Sequence, residues 1–153
     1  MKKISIFILC LCIMLTGCGT NNDSKEVGSI DNFQSVATNQ GLNVSDNTDT
    51  YSDVDYITQS KISKLDDITI EMTIYTDNES AIKAQDSIID NFMMIKSTGA
   101  TQNRFKGQNY YKFWMVSNGY YMVSSRIDNT IIFSKTLLKN KEKVESLLDA
   151  MNY

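Results

Sequence analysis

Four aspartates crowd one segment of this 153-residue chain: Asp46, Asp49, Asp53 and Asp55 in NVSDNTDTYSDVD, residues 43–55. Carboxylates at that density raise the question of calcium. The spacing fails the EF-hand pattern, because counting from Asp46 puts Tyr51 where the invariant Gly belongs and Ile57 where the bidentate Glu belongs. The segment reads instead as a solvated acidic loop. Asp66 and Asp67 are adjacent, so on a strand they point to opposite faces and cannot act as paired acid and base. Ser124 and Ser125 are hydroxyls without an activating partner. The chain has no histidine, which removes the usual general base and the commonest neutral metal ligand. A Ser-Lys arrangement has no local motif behind it. Arg126 offers a guanidinium fork for an anion or carboxylate; its plainer role is to stack beside Tyr111 and pair with a nearby acid. Tyr110, Trp114 and Tyr121 share one face and could form an exposed platform for sugar or peptide, unless a loop, the tether or the first helix covers them. These residues assign no catalytic group, no metal and no cofactor.

Cys18 carries the most specific chemistry. Lys2 and Lys3 precede an apolar run, residues 4–15, that is too short to span a bilayer as a helix and has the layout of a secretory leader. The run ends in Leu15-Thr16-Gly17-Cys18. That tetrapeptide resembles the bacterial lipobox. The resemblance implies a diacylglyceryl thioether on Cys18 and cleavage after Gly17, because the chemistry needs a thiol nucleophile and small neighbours. Two acyl chains anchor a protein stably, at about 0.8 kcal/mol per buried methylene. The expected organisation is a signal peptide at 1–17, a flexible tether at 18–28 and a single α+β domain at 29–153. The implied location is the outer face of the cytoplasmic membrane, with the membrane as a partner through Cys18. Cys10 and Cys12 leave with the leader, so the domain has no disulfide and depends on core packing. Loss of Lys2 and Lys3 takes the basic residues from 15 to 13 against 18 acids, a net charge of −5. A basic footprint for nucleic acid is missing.

The elements follow from periodicity. Ser29 caps a helix to Gln40, with Ile30, Phe33, Val36 and Ala37 on one side and Gly41 past its end. Residues 56–65 read best as a short edge strand. Ile68–Thr76 alternates cleanly as a strand, with Ile68, Ile70, Met72 and Ile74 on one face. Asp77 or Asn78 caps a second helix to about Lys96, whose stripe is Ala81, Ala84, Ile88, Phe92 and Ile95, with Ile89 beside it. Residues 109–135 form a three-stranded meander, since Asn118-Gly119 is a strong type I′ hairpin signal and Asp128-Asn129 a second turn. These turns pair Val116 with Tyr121, Trp114 with Val123, Ile127 with Thr130 and Arg126 with Ile131. One meander face then carries Tyr110, Trp114, Val116, Tyr121, Val123, Ile127 and Ile132; the other carries Tyr111, Phe113, Met115, Met122, Ile131 and Phe133. Both are apolar, so one packs on helices and the other needs its own cover. A last helix, 140–152, carries an unbroken stripe of Val144, Leu147, Leu148 and Met151. The expected fold is α+β: an antiparallel sheet of four to five strands, including the meander, against three helices.

This order, with Gly41-Leu42, the segment 68–92 and SRIDNTIIF (125–133) before a helix ending in Asn152-Tyr153, resembles a group of uncharacterised small lipoproteins of Gram-positive bacteria. Such groups commonly carry Gly where Asp128 stands. The resemblance implies a fold and no mechanism. The function expected from the sequence is a non-enzymatic, lipid-anchored binding or interaction domain with a protein or cell-wall partner. The alternatives are a cell-envelope hydrolase using carboxylates and an accessory subunit of a membrane complex.

Overall fold

The computed structural model describes residues 23–153. The leader, Cys18 and the first part of the expected tether lie outside the described residues. Within them the order is α1 (Ile30–Asn39), β1 (Asn43–Asp46), β2 (Ile57–Leu65), β3 (Ile68–Tyr75), α2 (Asn78–Met94), β4 (Thr101–Lys106), β5 (Tyr110–Ser117), β6 (Tyr120–Ile127), β7 (Thr130–Leu137) and α3 (Lys141–Ala150). Short 3₁₀ turns occupy Thr48–Tyr51 and Leu138–Asn140. The strands form one antiparallel sheet in the order β1-β2-β3-β7-β6-β5-β4.

The turns dictate the register. Asn118 (φ 52°) and Gly119 (φ 77°) are both left-handed, as a type I′ turn requires. At the β2–β3 and β6–β7 turns only the first residue is left-handed, Asp66 (φ 49°) and Asp128 (φ 46°), where a short polar side chain tolerates that region; neither turn has the two left-handed residues of type I′. The expected pairs Val116–Tyr121, Trp114–Val123, Ile127–Thr130 and Arg126–Ile131 are all present.

The helices start and stop where capping chemistry places them. Ser29 Oγ accepts from the Asn32 N–H at 3.1 Å, and Asp77 Oδ1 accepts from the Ser80 N–H at 2.8 Å. At the end of α1, Leu42 N–H reaches the Ala37 carbonyl (3.0 Å) and Gly41 N–H the Thr38 carbonyl (2.9 Å), with Gly41 left-handed. This is a Schellman closure. Asn152 (φ 63°) repeats it at α3, where Tyr153 N–H reaches the Leu148 carbonyl at 2.8 Å.

The molecule has three layers. The α1 and α3 helices cover one sheet face, where Phe33, Leu147 and Leu148 pack on Ile70, Met72, Tyr121, Val123 and Ile132. Each such side chain contributes about 1.5–3 kcal/mol by leaving water. Among the described residues α2 is the one helix on the other face, where it packs on β3, β7 and β6. Its Phe92 packs on Phe113, Met115 and Met122, and its Ala81 on Tyr75 and Ile131. The division of the meander into two apolar faces is therefore the observed one, and helices cover both.

Four expectations are corrected. The sheet has seven strands, since β1 and β4 join it at the edges. Residues 43–55 are not wholly a loop: Asn43–Asp46 pairs with Lys61–Lys64. That pairing makes β2 an interior strand. Ile95 is 40% exposed rather than part of the α2 stripe, and the polar Gln85 is buried in that stripe instead. Among the described residues no helix is long and apolar enough to cross a membrane.

Candidate functional site

A cleft of about 580 Å³ opens between α2 and the segment leading into β2. Its walls include Tyr51, Val54, Ile57, Tyr75, Ile88 and Phe133. A single helix crossing a wide sheet cannot cover the β2–β3 side as well as the meander, and the cleft is the part left over. A β-bulge between Ile57 and Gln59 shifts the β2–β3 register where β2 enters it; bulges often stand beside binding sites. Tyr56 stacks on Tyr75 at 6.3 Å between centroids and 11° between planes, an arrangement that favours flat aromatic contact. Tyr75 is buried while Tyr56 is half exposed, so the stack leads from surface to interior.

Beside the cleft lies Glu71, only 5% exposed. Its Oε1 accepts from Tyr51 OH (2.7 Å), Ser60 Oγ (2.7 Å) and Asn47 Nδ2 (3.0 Å). A buried carboxylate requires such donors. Through them β3 holds the Asn47–Tyr51 turn that forms the outer wall. Burial raises the Tyr51 and Tyr75 hydroxyls well above the ordinary tyrosine range, and the Glu71 charge adds to the shift. Both phenols stay protonated near neutral pH.

The rim carries Ser80, Lys83 and Ser87. The expectation that no local motif backs a Ser-Lys arrangement is corrected here, since Ser80 and Lys83 have the Ser-x-x-Lys spacing in which a lysine amine can deprotonate a serine. The geometry does not support that use. Lys83 Nζ donates to Glu79 Oε1 at 2.7 Å and is largely solvent-exposed. The contact with Glu79 raises its pKa, whereas a lysine base needs a lowered one. Among the described residues, those lining the cleft include no carboxylate, so a pair of acids is not assembled there. Another hollow, of about 660 Å³ beside Asp31, Asp46, Asp49 and Lys61, has a mainly polar lining. The described residues hold no group of three or more metal-ligating side chains.

The residues singled out in the sequence lie elsewhere. Tyr121 is fully buried, and its hydroxyl donates to Glu145 of α3. Glu145 also accepts from Lys112 at 2.8 Å. Trp114 is half-buried, tilted against Tyr121 at 6.4 Å, with the Lys141 amine 5.1 Å above its ring. Tyr110 donates to Asp23 Oδ2 at 3.0 Å. The aromatic face is thus the seat of α3 and of the residues before α1, rather than an open platform. Arg126 lies on the opposite, α2 face. Its Nε donates to Gln85 Oε1 (3.1 Å) and one terminal nitrogen to the Asp128 carbonyl (3.0 Å). No carboxylate among the described residues approaches within ion-pair distance, so the expected acid partner is replaced by an amide. Burial lowers the guanidinium pKa, and Asp128 and Asp86 oppose that shift. Gln85 also donates to the Tyr111 carbonyl at 2.9 Å. Arg126 and Gln85 together clamp α2 to the sheet, and Arg126 does not line the cleft. The missed residues Tyr51 and Tyr56 had a signal of their own: two aromatics set in an acidic, otherwise solvated stretch.

No family model and no curated protein matches this chain. Among solved structures it is similar to a GTP binding regulator from Thermotoga maritima, at 20% identity and a TM-score of 0.49, over 85% of this chain and 92% of that one.

Proposed function

We propose that this protein is a lipid-anchored, extracytoplasmic binding protein, and that its ligand enters the cleft beside α2. The cleft is the observation that carries the binding half of this reading. Its volume lies in the range of ligand sites, and its make-up is theirs too: an apolar floor with a few convergent polar groups. Val54, Ile57, Ile88 and Phe133 suit an apolar body, while the Ser80 and Ser87 hydroxyls and the Lys83 amine suit a neutral or anionic end. The leader and Cys18 supply the anchoring half. A carboxylate hydrolase is disfavoured, because the nearby acid, Glu71, spends Oε1 on three donors that hold the wall in place.

The binding half is tested with 8-anilinonaphthalene-1-sulfonate, an amphiphile with an aromatic body and an anionic end. Wild-type protein should bind it saturably, with enhanced emission. Ser87→Trp, at an exposed rim position, should abolish that signal without lowering the melting temperature. Undiminished binding by a folded Ser87→Trp protein would reject the cleft. The anchoring half is tested by Cys18→Ala, which should leave the chain uncleaved and without lipid by mass spectrometry. Normal maturation of that variant would reject it.

A further inference from the structure

Residues 23–28, part of the stretch read as a tether, run along one end of the sheet and are bound to it. The Asp23 carbonyl accepts from the Gln108 N–H at 3.1 Å. Lys25 N–H donates to Asn109 Oδ1 (3.0 Å), and the Lys25 carbonyl accepts from Asn109 Nδ2 (2.9 Å). One side-chain amide thus reads a single backbone residue in both directions, as a neighbouring strand would. The Lys25 amine reaches the Asn152 carbonyl at 2.9 Å and lies 4.9 Å from the Tyr110 ring centroid. The approach at Gly107 is close: a Cβ there would lie 2.0 Å from Tyr110 Cε1 and 2.6 Å from the Asp23 carbonyl oxygen. Asn109 is itself fixed, since its carbonyl accepts from the Asp128 N–H at 2.8 Å and its amide donates to Asp128 Oδ2 at 2.8 Å. The segment therefore lies on the β4–β5 turn, which Asn109 ties to the β6–β7 turn, and reaches the close of α3 at Asn152.

We infer that residues 23–28 are a strap, and that the end of the domain they cross is the surface that faces the lipid bilayer. The inference rests on the lipidation of Cys18 proposed above. From Cys18 to Asp23 is five residues, which reach at most about 18 Å at 3.3–3.6 Å each. A free tether over residues 18–28 would let the domain turn any side to the membrane. The docked strap leaves play only before Asp23, so the Gly107–Asn109 and Asp128–Asn129 turns stay close to the headgroups. The opposite end, with the Asn118–Gly119 turn, stands off by the length of an eight-residue strand, about 27 Å. The Tyr75 end of the cleft belongs to the membrane-facing end, because Tyr75 N–H donates to the Asn129 carbonyl at 2.8 Å.

The test uses the full lipidated protein in phosphatidylglycerol vesicles that contain a nickel-chelating lipid as a short-range quencher. Gln108→Cys and Thr98→Cys place a fluorophore at exposed positions on either side of β4, a strand about 20 Å long at roughly 3.4 Å per residue. The strap predicts several-fold stronger quenching at 108 than at 98. Asn109→Ala, which removes both Lys25 bonds, should bring the two values together. Equal quenching in a protein whose mass shows lipid on Cys18 would overturn the strap and leave the anchor standing. An unmodified Cys18 would overturn both. Rapid hydrogen exchange at the Lys25 amide in wild type would also overturn the strap.

Discussion

The two faces of the central sheet look alike along the meander, where aromatic and aliphatic side chains alternate on both, yet they reach different ends. On the α1/α3 face two helices share the cover and seal Tyr121, Val123, Ile127 and Ile132; α2 seals Phe113, Met115, Met122 and Ile131 as fully, so the difference lies on the β2–β3 side. Three of the hydroxyls buried on the α1/α3 face are spent on nearby backbone: Ser63 on the Ile70 carbonyl, Ser134 on that of Thr69 and Thr136 on that of Asp67. On the α2 face one helix must serve the whole width. There too polar groups hold separate elements together, as Glu145 does for α3 on the other face. Glu71 secures the Asn47–Tyr51 turn, while Gln85 and Arg126 secure α2. A face closed twice over is core. A face closed once, with its wall held by a carboxylate, leaves room for a ligand.

The comparison can be broken from the closed side first. Deleting residues 139–153 removes α3 and should abolish cooperative unfolding; an unchanged melting transition would show that this face does not depend on its second helix. Leu147→Ala, at a fully buried position, should cost about 2–5 kcal/mol in denaturant unfolding. On the cleft face, Glu71→Gln should cost about 1–3 kcal/mol, since buried donors lose a charged acceptor. It should also speed hydrogen exchange in residues 47–51 ahead of the rest of the sheet. Uniform acceleration would mean that Glu71 does not hold the wall. Ser87→Trp should change stability by no more than about 0.5 kcal/mol while removing dye binding. The smallest effect concerns the start of α2. The Asp77 carboxyl is held below its ordinary value of 3.8 by the hydrogen bond from the Ser80 N–H. A lowered folded pKa contributes stability that is full above that ordinary value and is lost as pH falls through the folded one. Asp77→Asn keeps a cap without the charge and should flatten the acid limb of stability against pH, leaving neutral pH nearly unchanged.

The legible parts of this molecule were those with a strong local cause. Asn118-Gly119 defines a turn, the turn defines the register, and the register sorts every meander residue between the two faces. Ser29, Gly41 and the α3 stripe were equally direct. The two edge strands were not. NVSD and TQNRFK are largely exposed, and a strand that buries neither face carries no alternation to read. The cleft was harder still, because its lining comes from the acidic segment, β2, β3, α2 and β7 and shares no motif. Tyr110, Trp114 and Tyr121 drew notice because they fall on one strand pair. That same regularity is what lets two helices and the strap cover them.

The difference between the faces is tested most directly by an amide and indole NMR titration of the protein with the same anilinonaphthalene dye. Shifts are expected at Ile57, Ser80, Lys83 and Ser87, with the Trp114 indole and the Tyr121 amide unmoved. Shifts centred on Trp114 and Tyr110, with the cleft silent, would contradict this expectation.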